Sequence, residues 1–153
     1  MKNNPADMDE HRFRQTYHAV NPLPCPFEKA ILTRRFGCRL LQKYNIAERE
    51  AIGCTRPGTQ QRCTRYIDTL REAARFALGS SKASAARTHG KEIRIQCGGL
   101  QGLQTLLDAA SATDIDTLLE TACRQYGSVD ALPLDRIMPG IAHYQLRKRA
   151  KRK

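Results

Sequence analysis

The chain has 153 residues and a formal net charge of +11, with 26 Lys and Arg against 15 Asp and Glu. That length suffices for one domain with its own apolar core, so the six cysteines are not needed as staples of a tiny scaffold. No run approaches about eighteen consecutive apolar residues, which excludes a helical membrane span, and six of the eleven surplus positive charges sit in "RKRAKRK", Arg147–Lys153.

The opening residues carry no apolar stretch of a secretory signal. The expectation is a reducing cytoplasm, where clustered cysteines bind metal or do redox chemistry more often than they form disulfides. Residues 1–9 are expected to be disordered, residues 10–146 to form one helical metal-binding domain, and residues 147–153 to be a basic tail. "HRFRQTYHAV" predicts a short helix over His11–Val20, followed by the proline-rich connector "NPLPCP". Phe27, Ile31, Cys38, Leu41 and Tyr44 recur at helical spacing and predict one helix over Pro26–Tyr44. "IAEREAI" predicts a second short helix over Ile46–Ile52, closed by Gly53.

Gln61–Leu78 carries the clearest apolar stripe, with Tyr66, Ile67, Leu70, Ala74 and Leu78 on one face. Ser80–Lys91 is small, polar and basic, and predicts a mobile loop. Ile93, Ile95 and Cys97 alternate and predict a short extended piece without a partner strand. A helix is expected from about Leu100 to Ala110 and another over Asp114–Tyr126, capped by Thr113 or Asp114 and closed by Gly127. "DALPLDRIMPG" predicts irregular chain with one turn, and "IAHYQLRKRAKRK" an amphipathic helix fraying into the tail. The fold expected is all-α: a small single-domain helical bundle with irregular loops around a cysteine-ligated metal site.

The cysteines are Cys25, Cys38, Cys54, Cys63, Cys97 and Cys123, and no CxxC pair occurs among them. That removes the zinc-ribbon, thioredoxin and tight ferredoxin patterns. Four scattered thiolates still suit a [4Fe–4S] cluster, which takes ligands from four corners. Zinc, the alternative, prefers close pairs on tight knuckles. On one continuous helix, Cys25 and Cys38 would stand about 20 Å apart, so either the helix bends sharply near Gly37 or only one of the two is a ligand. The expected ligands are therefore Cys38, Cys54, Cys63 and Cys97, with Cys25 in reserve. Cys97 precedes a Gly-Gly pair whose backbone can approach a sulfur closely. Cys123 reads as a small core residue. Arg34, Arg35, Arg39, Arg56, Arg62 and Arg65 flank the ligand region in sequence and would balance an anionic cluster. The organisation resembles that of small bacterial iron–sulfur regulators, which join a four-cysteine cluster to a glycine turn and a basic tail, although their CxxC pair is absent here.

The four histidines form no HExxH, and no phosphate loop, dinucleotide fingerprint or nucleophile elbow occurs. Catalysis is not expected. The chemistry points to electron transfer or to sensing of redox state or a gas. The alternative is a zinc-stabilised adaptor. In either case Arg147, Lys148, Arg149, Lys151, Arg152 and Lys153 would contact a redox partner protein, an acidic protein or nucleic acid.

Overall fold

The computed structural model of the chain describes residues 5–77 and 89–146. Among the described residues, six α-helices, α1 (Pro5–Val20), α2 (Glu28–Leu32), α3 (Pro57–Ala77), α4 (His89–Leu106), α5 (Ile115–Tyr126) and α6 (Leu134–Ala142), accompany one antiparallel hairpin. The hairpin pairs β1 (Leu41–Ile46) with β2 (Arg49–Cys54), and a single 3-10 turn (Val129–Ala131) precedes α6. No described helix is long and apolar enough to cross a membrane. The tail Arg147–Lys153 and most of the expected loop Ser80–Lys91 lie outside the described residues.

The all-α expectation is overturned between Pro26 and Cys54. The helix expected to reach Tyr44 stops at Leu32. Thr33 ends it: its hydroxyl donates to the Ala30 carbonyl at 2.6 Å and accepts from the Arg35 N–H at 3.3 Å. A side chain competing for backbone groups in this way unwinds a helix. Arg34 then takes a left-handed conformation, φ 68°. The second expected helix, Ile46–Ile52, is the turn and second strand of the hairpin, with Ile46 opposite Arg49 and Ala47 at φ 55°.

Strand β2 is held on both edges. On its far side the segment Leu23–Cys25 runs antiparallel to it: Cys25 N–H donates to Ile52 O at 3.0 Å and Cys54 N–H to Leu23 O at 2.7 Å. The Ile52 N–H donates to Glu28 Oε2 at 2.8 Å, and Asn21 Nδ2 donates to Ile52 O at 3.1 Å. A Cβ at Gly53 would collide with Asn21 Oδ1 and meet Tyr44 Cε2 at 3.0 Å and Leu23 O at 3.2 Å, so a larger residue there would force these groups to shift.

The extended piece expected at Ile93–Cys97 is part of α4, and the irregular stretch expected near Leu134 is α6. Ile93, Cys97 and Leu100 also satisfy helical spacing, and the neighbouring backbone decides between the two patterns. α4 and α6 touch backbone to backbone. A Cβ at Gly98 would lie 2.6 Å from Ile141 Cα, and one at Gly102 would collide with the Ile137 carbonyl oxygen. Gly140 is equally confined against Gly98 and Gly102. The "CGGLQG" glycines thus serve helix packing. Arg94 Nε donates to Ile141 O at 2.8 Å and satisfies the end of α6. The helix expected over the residues after Ile141 instead ends at Ala142. Tyr66, fully buried on α3, donates its hydroxyl to Gly99 O at 2.8 Å and closes the core with Phe27, Leu70, Leu100, Leu119 and Ile137.

Gly102→Ala is expected to cost about 1–3 kcal/mol, because the new methyl meets backbone rather than a flexible side chain. Gly58→Ala, in open space within the first turn of α3, is expected to be neutral or mildly stabilising. Urea denaturation of both variants checks the contrast.

Candidate metal centre

Four cysteines reach the same region from four pieces of backbone. Cys25 ends the segment paired with β2, and Cys54 ends β2 itself. Cys38 precedes β1: its carbonyl accepts from Leu41 N–H at 3.2 Å, and Leu41 stands opposite Cys54 across the hairpin. Cys63 lies in the second turn of α3, and one turn earlier Gln60 Nε2 donates to Pro24 O at 3.2 Å. Cys25 is opposed by charge at Cys63, Cys38 and Cys54, and Cys63 by charge at Cys38 and Cys54.

Burial pushes the Cys25 thiol up to about 12, against a hydrogen bond from the Phe27 N–H. Burial also pushes Cys63 up to about 12, with the Arg62 guanidinium working against it. Cys38 is raised by burial and by the Asp114 and Asp116 carboxylates, while the backbone N–H groups of Leu40 and Asp116 pull it down. Cys54 Sγ accepts from the Arg56 N–H at 3.5 Å, and its own S–H donates to Arg56 O at 3.3 Å. One local pattern recurs. At Cys25, Cys38 and Cys54 the N–H two residues onward faces the sulfur. Such donors favour a thiolate over a thiol, and hydrogen bonds to sulfur tune a cluster's potential.

The Cys38 loop is fixed from far along the chain. Gly37 N–H donates to Thr113 O at 3.0 Å and Ile115 N–H to Gly37 O at 2.9 Å. Asp114 caps α5 by accepting from Thr117 N–H at 2.8 Å, and it also accepts from Arg39 N–H at 2.6 Å. Burial works against its charge, but the hydrogen bonds from Thr117 and Arg39 outweigh burial and hold the carboxyl below its ordinary range. Asp116 is the tighter clasp. Its side chain is 5% exposed and accepts from Arg39 Nε at 2.7 Å and Arg62 Nη2 at 2.6 Å. One carboxylate thereby ties the residues following Cys38 and preceding Cys63 to α5. Neither aspartate stood out in the sequence as part of the site; only the capping role of Asp114 was signalled, and nothing local places either residue beside Cys38.

Cys97 is elsewhere in character. It is fully buried on α4 within the apolar core, with Thr33 Oγ1 3.9 Å from its sulfur. Cys123 is half-buried on α5 at a hollow shared with Arg62 and Arg65. The six flanking arginines divide. Arg39 and Arg62 serve Asp116, Arg34 pairs with Glu50, Arg65 with Asp130, Arg35 lies over Tyr144, and Arg56 is exposed. Among the described residues, no three His, Cys, Asp or Glu side chains are placed to hold a single metal ion. A tetrahedral zinc site with Zn–S near 2.3 Å would need sulfurs about 3.8 Å apart.

Comparison with protein-family models, curated proteins and solved structures finds no match. The functional reading therefore rests on this geometry and its chemistry.

Two predictions follow from the geometry. Asp116→Ala strands Arg62, only 25% exposed, without its carboxylate, and a loss of about 3 kcal/mol is expected on chemical denaturation. The second concerns pH in the metal-free protein. Cys25 and Cys63, raised from 9 to about 12, hold their protons more tightly folded than unfolded. That contribution is fully present below about pH 9 and is lost as the pH climbs toward about 12. The melting temperature of the metal-free protein should fall through this window, and Cys63→Ser should make the fall shallower.

Proposed function

We propose that the protein carries one [4Fe–4S] cluster on Cys25, Cys38, Cys54 and Cys63 and acts in electron transfer or in sensing redox state or a gas. The observation that carries this reading is the convergence of four thiols, three of which face an N–H two residues onward. Cys25 takes the place expected for Cys97. The 20 Å separation that demoted Cys25 assumed a continuous helix, and that helix ends at Leu32. Cys97 is sealed in the core.

A cube spans more space than a single ion and accepts thiolates too widely placed for zinc. Binding would displace the protons that burial holds on Cys25 and Cys63, so loading would release protons and favour higher pH. Four protein ligands would leave no open iron for Lewis-acid chemistry, which argues for a carrier or sensor over an enzyme. Cys38 and Cys54 are partly exposed, giving the cluster an edge toward solvent for electrons or a small oxidant. Asp116 and its two arginines would set the local charge, one of the levers on cluster potential.

The test is iron, sulfide and zinc content of protein purified without oxygen, for the parent chain and single Cys→Ser variants. The reading expects about four irons and four sulfides per chain with broad visible absorption. It expects these to be lost in Cys25→Ser, Cys38→Ser, Cys54→Ser and Cys63→Ser and retained in Cys97→Ser and Cys123→Ser. Zinc alone, no metal, or a cluster that survives Cys25→Ser but not Cys97→Ser would overturn it.

A further inference from the structure

Helix α1 is weakly anchored. Among residues 10–20 no side chain is buried, and only Phe13 and Tyr17 are half-buried, one turn apart. Val20 is 43% exposed. A helix with so little apolar burial is marginal in water by itself and keeps its place through its few contacts. The outer contact is at Arg49. Phe13 lies under that guanidinium at 4.5 Å, and Glu10 pairs with it at 3.0 Å. Both ends of the ion pair are half-exposed, so it holds weakly. Beside it a hollow of about 600 Å³ opens between Arg12, Phe13 and Thr16 of the helix and Ile46 and Arg49 of the hairpin.

The inner contact is at Ile52. Tyr17 donates its hydroxyl to Glu28 Oε2 at 2.9 Å, the same oxygen that accepts from Ile52 N–H. Asn21, 2% exposed at the end of the helix, donates through Nδ2 to Ile52 O at 3.1 Å, the carbonyl that also takes the Cys25 N–H. Burial and then the Glu28 carboxylate push the Tyr17 phenol above its ordinary range, and charge at Cys25 pushes it the same way. The phenol therefore stays the donor, in the neighbourhood of Cys25. Asn21 Oδ1, by contrast, is buried without a hydrogen-bond partner among the described residues. A buried orphan acceptor destabilises the closed position, and water relieves it on opening. The movement has a natural limit, because Leu23–Cys25 keeps its own backbone bonds to β2.

We propose that α1 is a latch on the Cys25 corner of the cysteine site. It swings out with Asn21 while the body stays folded, and its opening sets the rate at which iron, a chelator or an oxidant reaches Cys25. Elements held by few buried contacts open at a lower free energy than the whole fold, as such a latch requires. The consequence for a cluster rests on the reading above, whereas the motion is measured without iron.

The test is pulsed alkylation with N-ethylmaleimide on the reduced, metal-free, full-length protein, with rates read thiol by thiol by peptide mass spectrometry. Tyr17→Phe removes the inner contact and is expected to speed Cys25 about tenfold, the worth of a hydrogen bond to a carboxylate. Phe13→Ala removes the outer contact, leaves Glu28 and Ile52 untouched, and is expected to speed Cys25 about threefold. Cys63 and Cys97, both buried in the body, should keep the parent rates in each variant. A Cys25 rate unmoved by Phe13→Ala would overturn the latch, since an effect of Tyr17→Phe alone is local damage at Glu28. Cys63 and Cys97 accelerating in step with Cys25 would overturn it as well, because that reports opening of the whole fold. In protein purified without oxygen, iron release to EDTA should quicken with Cys25 in both variants, and release that ignores both would refute control of the site by α1. A native protein without iron refutes the cluster reading instead, and the metal-free rates still decide the motion.

Discussion

Strand β2 is bonded from both sides, and the arrangement around the cysteines depends on it. Its inner edge pairs with β1 and its outer edge with Leu23–Cys25. Ile52 alone engages Cys25, Asn21 and Glu28 through its backbone. Backbone groups buried in this way must be paired, and here every partner also positions something else. The Glu28 carboxylate that accepts from Ile52 also accepts from the Tyr17 hydroxyl at 2.9 Å, which draws α1 onto the hairpin. The Cys25–Ile52 bond sets one cysteine two residues along from Cys54. A slip of one residue in either pairing would turn the side chains to the opposite face and scatter the thiols.

A second lock acts from α5. Asp114 and Asp116 are only two residues apart in sequence, yet they hold Arg39, Arg62 and, through the Asp116 N–H, the Cys38 sulfur. A carboxylate this buried is tolerated because two guanidinium groups and a helix N-terminus answer its charge. The arrangement gives the cysteine region rigid supports on three sides: β2, α3 and the start of α5. It also mixes signs close to the thiols. Arg62 favours ionisation at Cys63 while the Asp116 carboxylate opposes it.

Long amphipathic helices were legible in the sequence. The stripe read from Gln61 lies on α3 as far as the described residues reach, Ala77, with Leu78 outside them, and the Asp114 cap and Gly127 stop bound α5 as expected. Between Pro26 and Cys54 the pattern was ambiguous. Leu41 and Tyr44 suit a helix by spacing and a strand by composition, and the choice fell to groups remote in sequence. Thr33 ended the helix locally, and the outer strand Leu23–Cys25 gave β2 a second edge to bond. Treating Pro26–Tyr44 as a rigid rod separated Cys25 from Cys38, when the chain in fact doubles back through Arg34. Gly98, Gly102 and Gly140 were likewise unreadable as packing residues until α4 and α6 were seen to touch.

The central claim is that Cys25, Cys38, Cys54 and Cys63 act as one site. Residue-by-residue alkylation measures this most directly, with peptide mass spectrometry on protein prepared without oxygen, before and after iron chelation. The account predicts that these four thiols are protected together and become reactive together when iron is removed, while the rates at Cys97 and Cys123 do not change. Four independent rates, unmoved by the chelator, would contradict it and return the cysteines to ordinary packing.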